Sequence, residues 1–112
     1  MFSKILTLTG AALVLGLTVN DVSAKTKEYH ISIKEHRFTP ERLTVPAGEK
    51  IKLRVKNEDL TPEEFESHDL NREKIIGGGK TGTIFVGPLE PGEYYFFGEF
   101  NEDTAKGWIT AE

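Results

Sequence analysis

The sequence predicts an all-β sandwich, and three observations carry that prediction. Short runs of aromatic and β-branched residues alternate with polar ones at a period of two, as in Tyr29-His30-Ile31-Ser32-Ile33. Gly, Pro and Asn separate these runs at short intervals, as at Pro46-Ala47-Gly48 and Pro88-Leu89-Glu90-Pro91-Gly92. Beyond the N-terminal segment, no stretch spaces its apolar residues as a helix would.

Residues 1–24 have the form of a signal peptide. Lys4 precedes an apolar run from Ile5 to Val19, and Val22-Ser23-Ala24 offers small residues for cleavage after Ala24. The run is short for a bilayer, which needs about 20 residues. The sequence has no cysteine, so no lipid can be attached through one. Removing 24 of the 112 residues leaves 88, expected as one domain over 25–112.

The expected strands follow in order. Tyr29, Ile31 and Ile33 share a face, and Phe38-Thr39-Pro40 turns the chain. Leu43 and Val45 lead into the next turn. Ile51, Leu53 and Val55 form one face of a half-buried strand whose other face is Lys50, Lys52, Arg54 and Lys56. An acidic loop is expected next, to about Asn71, then a short strand at Glu73–Ile76 ended by Gly77-Gly78-Gly79. Thr81 to Val86 alternate without a clear buried face. The aromatic run Tyr94–Phe97 and the terminal Gly107-Trp108-Ile109-Thr110-Ala111 complete the set, with their aromatics expected in the core.

Composition narrows the chemistry. A net charge of −4 argues against nucleic acid as a partner and is compatible with cations. Without cysteine there is neither a disulfide nor a thiolate ligand. Gly77-Gly78-Gly79-Lys80-Thr81 imitates a phosphate loop only in part, lacking the glycine spacing and a following helix. No Gly-x-Ser-x-Gly element occurs, and no complete catalytic set is visible.

The segment from Asn57 to Asp69 crowds carboxylates around one histidine, which marks either a solvated loop or a cation site. In an extended chain Glu64, Glu66 and His68 point to one side, and Glu99, Asn101 and Asp103 repeat the spacing. Phe65, between two glutamates, suggests that its segment packs down and fixes its neighbours. Carboxylates with one imidazole suit Fe(II), Fe(III), Mn(II), Zn(II) or Cu(II) more than Cu(I). His36 and His30 are expected in structural or solvent roles, and Phe100 as a possible shield.

These residues resemble a cupredoxin. His36-Arg37-Phe38-Thr39-Pro40 followed by Leu43-Thr44-Val45-Pro46-Ala47-Gly48 is similar to that family's first hairpin. Asn57-x-Asp59 resembles the approach to its first histidine ligand, and Pro88-Leu89-x-Pro91-Gly92-x-Tyr94-x-Phe96 the approach to its cysteine. The resemblance implies a cupredoxin-like Greek-key β-sandwich. It also places the blue-copper ligands at Glu63 or Glu64, Gly98, near Asn101 and at Ala105, where none of the family's ligand types stands.

A narrower resemblance lies in Glu64-Phe65-Glu66-Ser67, Glu73-Lys74 and Gly98-Glu99-Phe100-x-Glu102-Asp103-Thr104-Ala105-x-Gly107. These motifs look like periplasmic cupredoxin-like proteins of bacterial ferrous-iron permease systems and the N-terminal domain of related iron-uptake proteins. This implies a periplasmic protein that binds an iron or copper ion beside a membrane iron permease, with an accessory part in ferrous oxidation. The fold it implies brings the two acidic segments to one pole. Glu64, Glu66, Glu99 and Asp103 are then the expected metal ligands, with His68 tuning or completing the site. The alternatives are a copper-binding or electron-transfer protein with non-standard ligands, and a docking module that binds no metal.

Overall fold

The computed structural model describes residues 25–112, and the expected signal peptide at 1–24 lies outside them. The alternating runs become strands β1 (Lys27–Lys34), β2 (Arg37–Thr39), β3 (Arg42–Val45) and β4 (Ile51–Asn57). They continue as β5 (Glu63–Ser67), β6 (Arg72–Ile76), β7 (Thr81–Val86) and β8 (Gly92–Gly98). A 3-10 turn, Glu99–Asn101, precedes the final strand β9 (Lys106–Ala111). Among the described residues no helix is long and apolar enough to cross a membrane.

Two sheets face each other, one ordered β3-β9-β8-β5-β6 and the other β2-β1-β4-β7. β1 runs parallel to β4 and β3 parallel to β9, while the other pairs are antiparallel. Chain neighbours β2 and β3 lie in different sheets, so the strand crosses over at Pro40-Glu41. The predicted all-β sandwich is the observed architecture.

Alternation decides the core. Ile51, Leu53 and Val55 are fully buried from β4, and Ile31 and Ile33 from β1. Gly82, Ile84 and Val86 face inward from β7, which resolves the strand whose sequence left the choice open. Phe38, Phe65 and Phe96 meet at the centre: Phe65 and Phe96 stack at 5.0 Å, and Phe38 meets Phe96 edge-on at 4.9 Å.

Two expectations change. The acidic segment is not a loop throughout, because Glu63–Ser67 pairs along its whole length with β6 and, through Phe65 and Glu66, with the end of β8. The aromatic run and Trp108 are not all core. On β8, Phe96 points inward, whereas Tyr95 and Phe97 share the outer face with Trp108 of β9; Phe97 is still buried there, while Tyr95 and Trp108 are half-buried. Tyr95 stacks on Phe97 at 5.6 Å and meets Trp108 at 5.4 Å, and the Arg42 guanidinium covers Trp108 at 4.6 Å. Both faces of β8 are aromatic, so apolarity alone could not tell inside from outside.

Candidate metal centre

The acidic segment divides by direction and by task. Asp59 is structural: its carboxylate accepts the Glu35 and His36 N–H groups at 2.7 and 3.0 Å, holding two residues whose φ values are 52° and 59°. Asn57, fully buried, donates to the Thr61 and Ile76 carbonyls and accepts the Asp59 N–H. Asp69 accepts the Tyr95 N–H at 2.9 Å, and Ser67 donates to the Tyr95 carbonyl at 2.6 Å. These side chains extend the pairing of β5 with β8 beyond its backbone ladder.

Within β5 parity separates the glutamates. Glu63, Phe65 and Ser67 face inward and are buried, while Glu64 and Glu66 face out and remain half-exposed. Glu66 lies directly opposite Glu73 of β6. Glu64, Glu66 and Glu73 each offer a carboxylate oxygen within 4.8 Å of the other two. Oxygen ligands at about 2.0–2.6 Å from an ion are compatible with that separation.

Among the described residues no cation forms an ion pair with this group. The ion pairs among the described residues are Lys27–Glu49, His30–Glu28, Arg42–Glu93 and Arg54–Glu28. The basic residues of β6 are engaged elsewhere: Arg72, although it lines the same depression as Glu66 and Glu73, donates to the Phe85 and Asn71 carbonyls, and the Lys74 stem lies over Gly82. Like charges directly opposite on paired strands repel.

The repulsion shows in Glu66. Partial desolvation, then the charges of Glu73, Glu64 and Glu99, raise its pKa above the ordinary 4.5, and only His68 acts in the opposite sense. A raised folded-state pKa means that the folded protein holds this proton more tightly than the unfolded chain. The contribution of Glu66 to stability is therefore fully present below pH 4.5 and is lost as pH rises through its folded-state pKa. Thermal denaturation of the metal-free protein across that window should show this loss, and Glu66→Gln should remove it. An identical pH dependence in the variant would contradict the assignment.

The five ligands expected from the sequence fare differently. Glu64 and Glu66 fall in the carboxylate group, whose third member is Glu73. Glu73, part of the Glu73-Lys74 motif, is not among those five residues. His68 follows β5 in an exposed turn, its ring 5.6 Å from Phe97, and lines a shallow depression with Glu66 and Glu73. Glu99 starts the 3-10 turn, close enough for its charge to act on Glu66. Asp103 lies farther along that loop, in a second depression shared with His36 and Glu99. His68, Glu99 and Asp103 are thus outside the group that shares one ligand position. His36 and His30 are exposed, as is Phe100.

The positions that the cupredoxin resemblance assigns to copper ligands do come together. A Cβ placed on Gly98 would stand 2.7 Å from the Glu63 carboxyl carbon and 2.7 Å from the Ala105 Cβ. The Asn101 side chain donates to Glu63 Oε2 at 2.8 Å. Glycine and alanine bring no donor atom, and the space beside them holds a carboxylate already engaged in hydrogen bonds. These residues do not fit a blue-copper ion, which needs thiolate and imidazole ligands.

The comparisons with known proteins agree with the architecture. The family described as cupredoxin-like domain matches residues 6–111. An uncharacterized protein of Rickettsia prowazekii (strain Madrid E) is 50% identical over 82 residues, 73% of this chain, and the chain spans 66% of that relative's length. Among solved structures, auracyanin A, a "blue" copper protein of Chloroflexus aurantiacus, superposes with a TM-score of 0.68 at 15% identity. That match covers 79% of this chain and 100% of the auracyanin. The metal-binding domain of the Cu(I)-exporting P-type ATPase CopA of Streptococcus pneumoniae D39 gives 0.67 at 16% identity, covering 82% and 91%. At such identities the structures are alike in fold alone.

Proposed function

Because the chain belongs to the cupredoxin-like family yet carries carboxylates rather than blue-copper ligands, we propose that it binds a hard or borderline transition-metal ion on the outer face of its larger sheet. The observation that carries this reading is the approach of Glu64, Glu66 and Glu73 to within 4.8 Å, with none of them in an ion pair among the described residues. Glu99 adds negative charge from the neighbouring turn, and His68 offers an imidazole at the rim. Asp103, one loop away, serves to attract the ion rather than to hold it.

Iron is the cargo we assign. Anionic oxygen donors favour Fe(III) over softer ions, and the acidic motifs resemble those of periplasmic iron-uptake proteins. The role in this reading is capture in the periplasm and hand-over to a membrane iron permease. Copper is the second reading, favoured by His68 beside Glu66, since Cu(II) accepts mixed carboxylate and imidazole donors.

A thermal-shift panel of the metal-free protein with Fe(II) under anaerobic conditions, Fe(III), Cu(II), Zn(II) and Mn(II) tests the proposal. An ion at about one hundred times its Kd adds about 2.7 kcal/mol of stability. In a domain of this size that raises Tm by roughly 10 °C or more. Iron giving the largest shift supports the iron assignment, and copper doing so moves the protein to the second reading. No shift with any ion would leave a docking module.

A further inference from the structure

Glu63 is a carboxylate buried to 2% exposure at the pole of the sandwich, and no basic side chain pairs with it among the described residues. Its charge is met by N–H groups instead. Oε1 accepts the Phe100 backbone N–H at 2.8 Å and the Glu64 N–H at 3.0 Å. Oε2 accepts from the Asn101 side-chain amide at 2.8 Å. Two of these donors belong to the 3-10 turn, so one side chain ties β5 to the turn that carries Glu99. The Gly98 N–H donates to the Ala105 carbonyl at 2.9 Å and closes the same loop from its other end.

We infer that Glu63 is an internal lock: it fills the position where the fold would otherwise take a metal ion, and it positions Glu99 beside the outer carboxylates. Buried carboxylates persist when hydrogen bonds meet their charge, and charge-assisted bonds are the stronger kind. The lock also explains Gly98. Any side chain there would enter the space of the Glu63 carboxylate and the Ala105 methyl. Metal chemistry is therefore displaced from the interior to the opposite side of the same strand, where Glu64 and Glu66 point. That displacement and the positioning role rest on the cation site proposed above. The lock itself does not.

The two roles open to Glu63, lock and ligand, respond differently to Glu63→Gln. A glutamine keeps its carbonyl oxygen for the Phe100 and Glu64 N–H groups, and its amide can donate to Asn101 once that side chain turns its own amide over. A lock therefore survives this substitution but not Glu63→Ala. A metal ligand loses its charge in both. The experiment combines backbone amide exchange of the metal-free protein with Mn(II) binding followed by electron paramagnetic resonance.

For a lock, the Phe100 amide of the wild type is protected, and its exchange accelerates by about tenfold or more in Glu63→Ala but not in Glu63→Gln. Mn(II) affinity then stays within about threefold of the wild type in Glu63→Gln and falls by about tenfold or more in Glu63→Ala. A Glu63→Gln protein that loses Mn(II) as completely as Glu64→Gln would make Glu63 a ligand and overturn the inference. So would a Phe100 amide that exchanges freely in the wild type. Failure of the wild type to bind Mn(II) would remove the positioning role and the cation reading for that ion, while the exchange data still decide whether the lock exists.

Discussion

Replacing Glu66 and Glu73 together by glutamine is expected to lower metal affinity by about a hundredfold or more, without lowering the stability of the metal-free protein. The two carboxylates face each other across β5 and β6, and with Glu64 they place three oxygens within 4.8 Å. An ion gains from each negative oxygen it touches, and even partners one step removed from a metal commonly change affinity tenfold or more. The metal-free protein bears only the cost of the arrangement, visible in the raised pKa of Glu66. Glutamine keeps the size and β-strand direction of each side chain while removing the repulsion. Calorimetric titration with the best-binding ion, beside denaturation in the presence of a chelator, reads both effects. Unchanged affinity would remove these residues from the site, and a large loss of metal-free stability would assign them a structural role instead.

Gly107→Ala is expected to destabilise the fold by about 3 kcal/mol, the upper part of the usual range for overpacking. Gly107 is buried on β9 directly opposite Phe96 of β8. A Cβ there would overlap the Phe96 ring, with even its Cε2 only 2.9 Å away. The ring has little room to yield. Phe65 stacks against it at 5.0 Å, Phe38 meets it edge-on at 4.9 Å, and all three are fully buried. Glycine at this point is thus a packing requirement of the aromatic centre. Urea denaturation of the metal-free variant measures the loss, and a change below about 0.5 kcal/mol would mean that the centre can repack.

Much of the sandwich was legible because its strands bury one face. Ile51-x-Leu53-x-Val55 and Tyr29-x-Ile31-x-Ile33 allow one orientation each, since a slip by one residue would expose every apolar side chain. Phe65 was legible as an aromatic between two glutamates, and with it the common direction of Glu64 and Glu66, although the segment itself read as a loop. The rest depended on pairing between strands. Glu73 joins the site only through the β5–β6 register, which is set by the turn His68–Asn71, where Asn71 takes a φ of 55°. Reading His68-Asp69-Leu70-Asn71 as a hairpin turn would have set Glu73 opposite Glu66. The roles of Glu63, Asp59 and Asp69 stayed hidden because a carboxylate serving the backbone has the same composition as one serving a metal. Apart from the adjacent Glu64 N–H on Glu63, their N–H partners lie 23 to 38 residues away along the chain.

The most direct test of a metal site on the outer sheet face is a titration of uniformly 15N-labelled, metal-free protein with substoichiometric Mn(II), following paramagnetic broadening of each amide signal. A site at Glu64, Glu66 and Glu73 requires broadening centred on those three residues, spreading first to His68 and Glu99 and sparing His30 and Lys52 on the other sheet. Broadening centred elsewhere, or spread evenly over the acidic side chains of the whole surface, would contradict it.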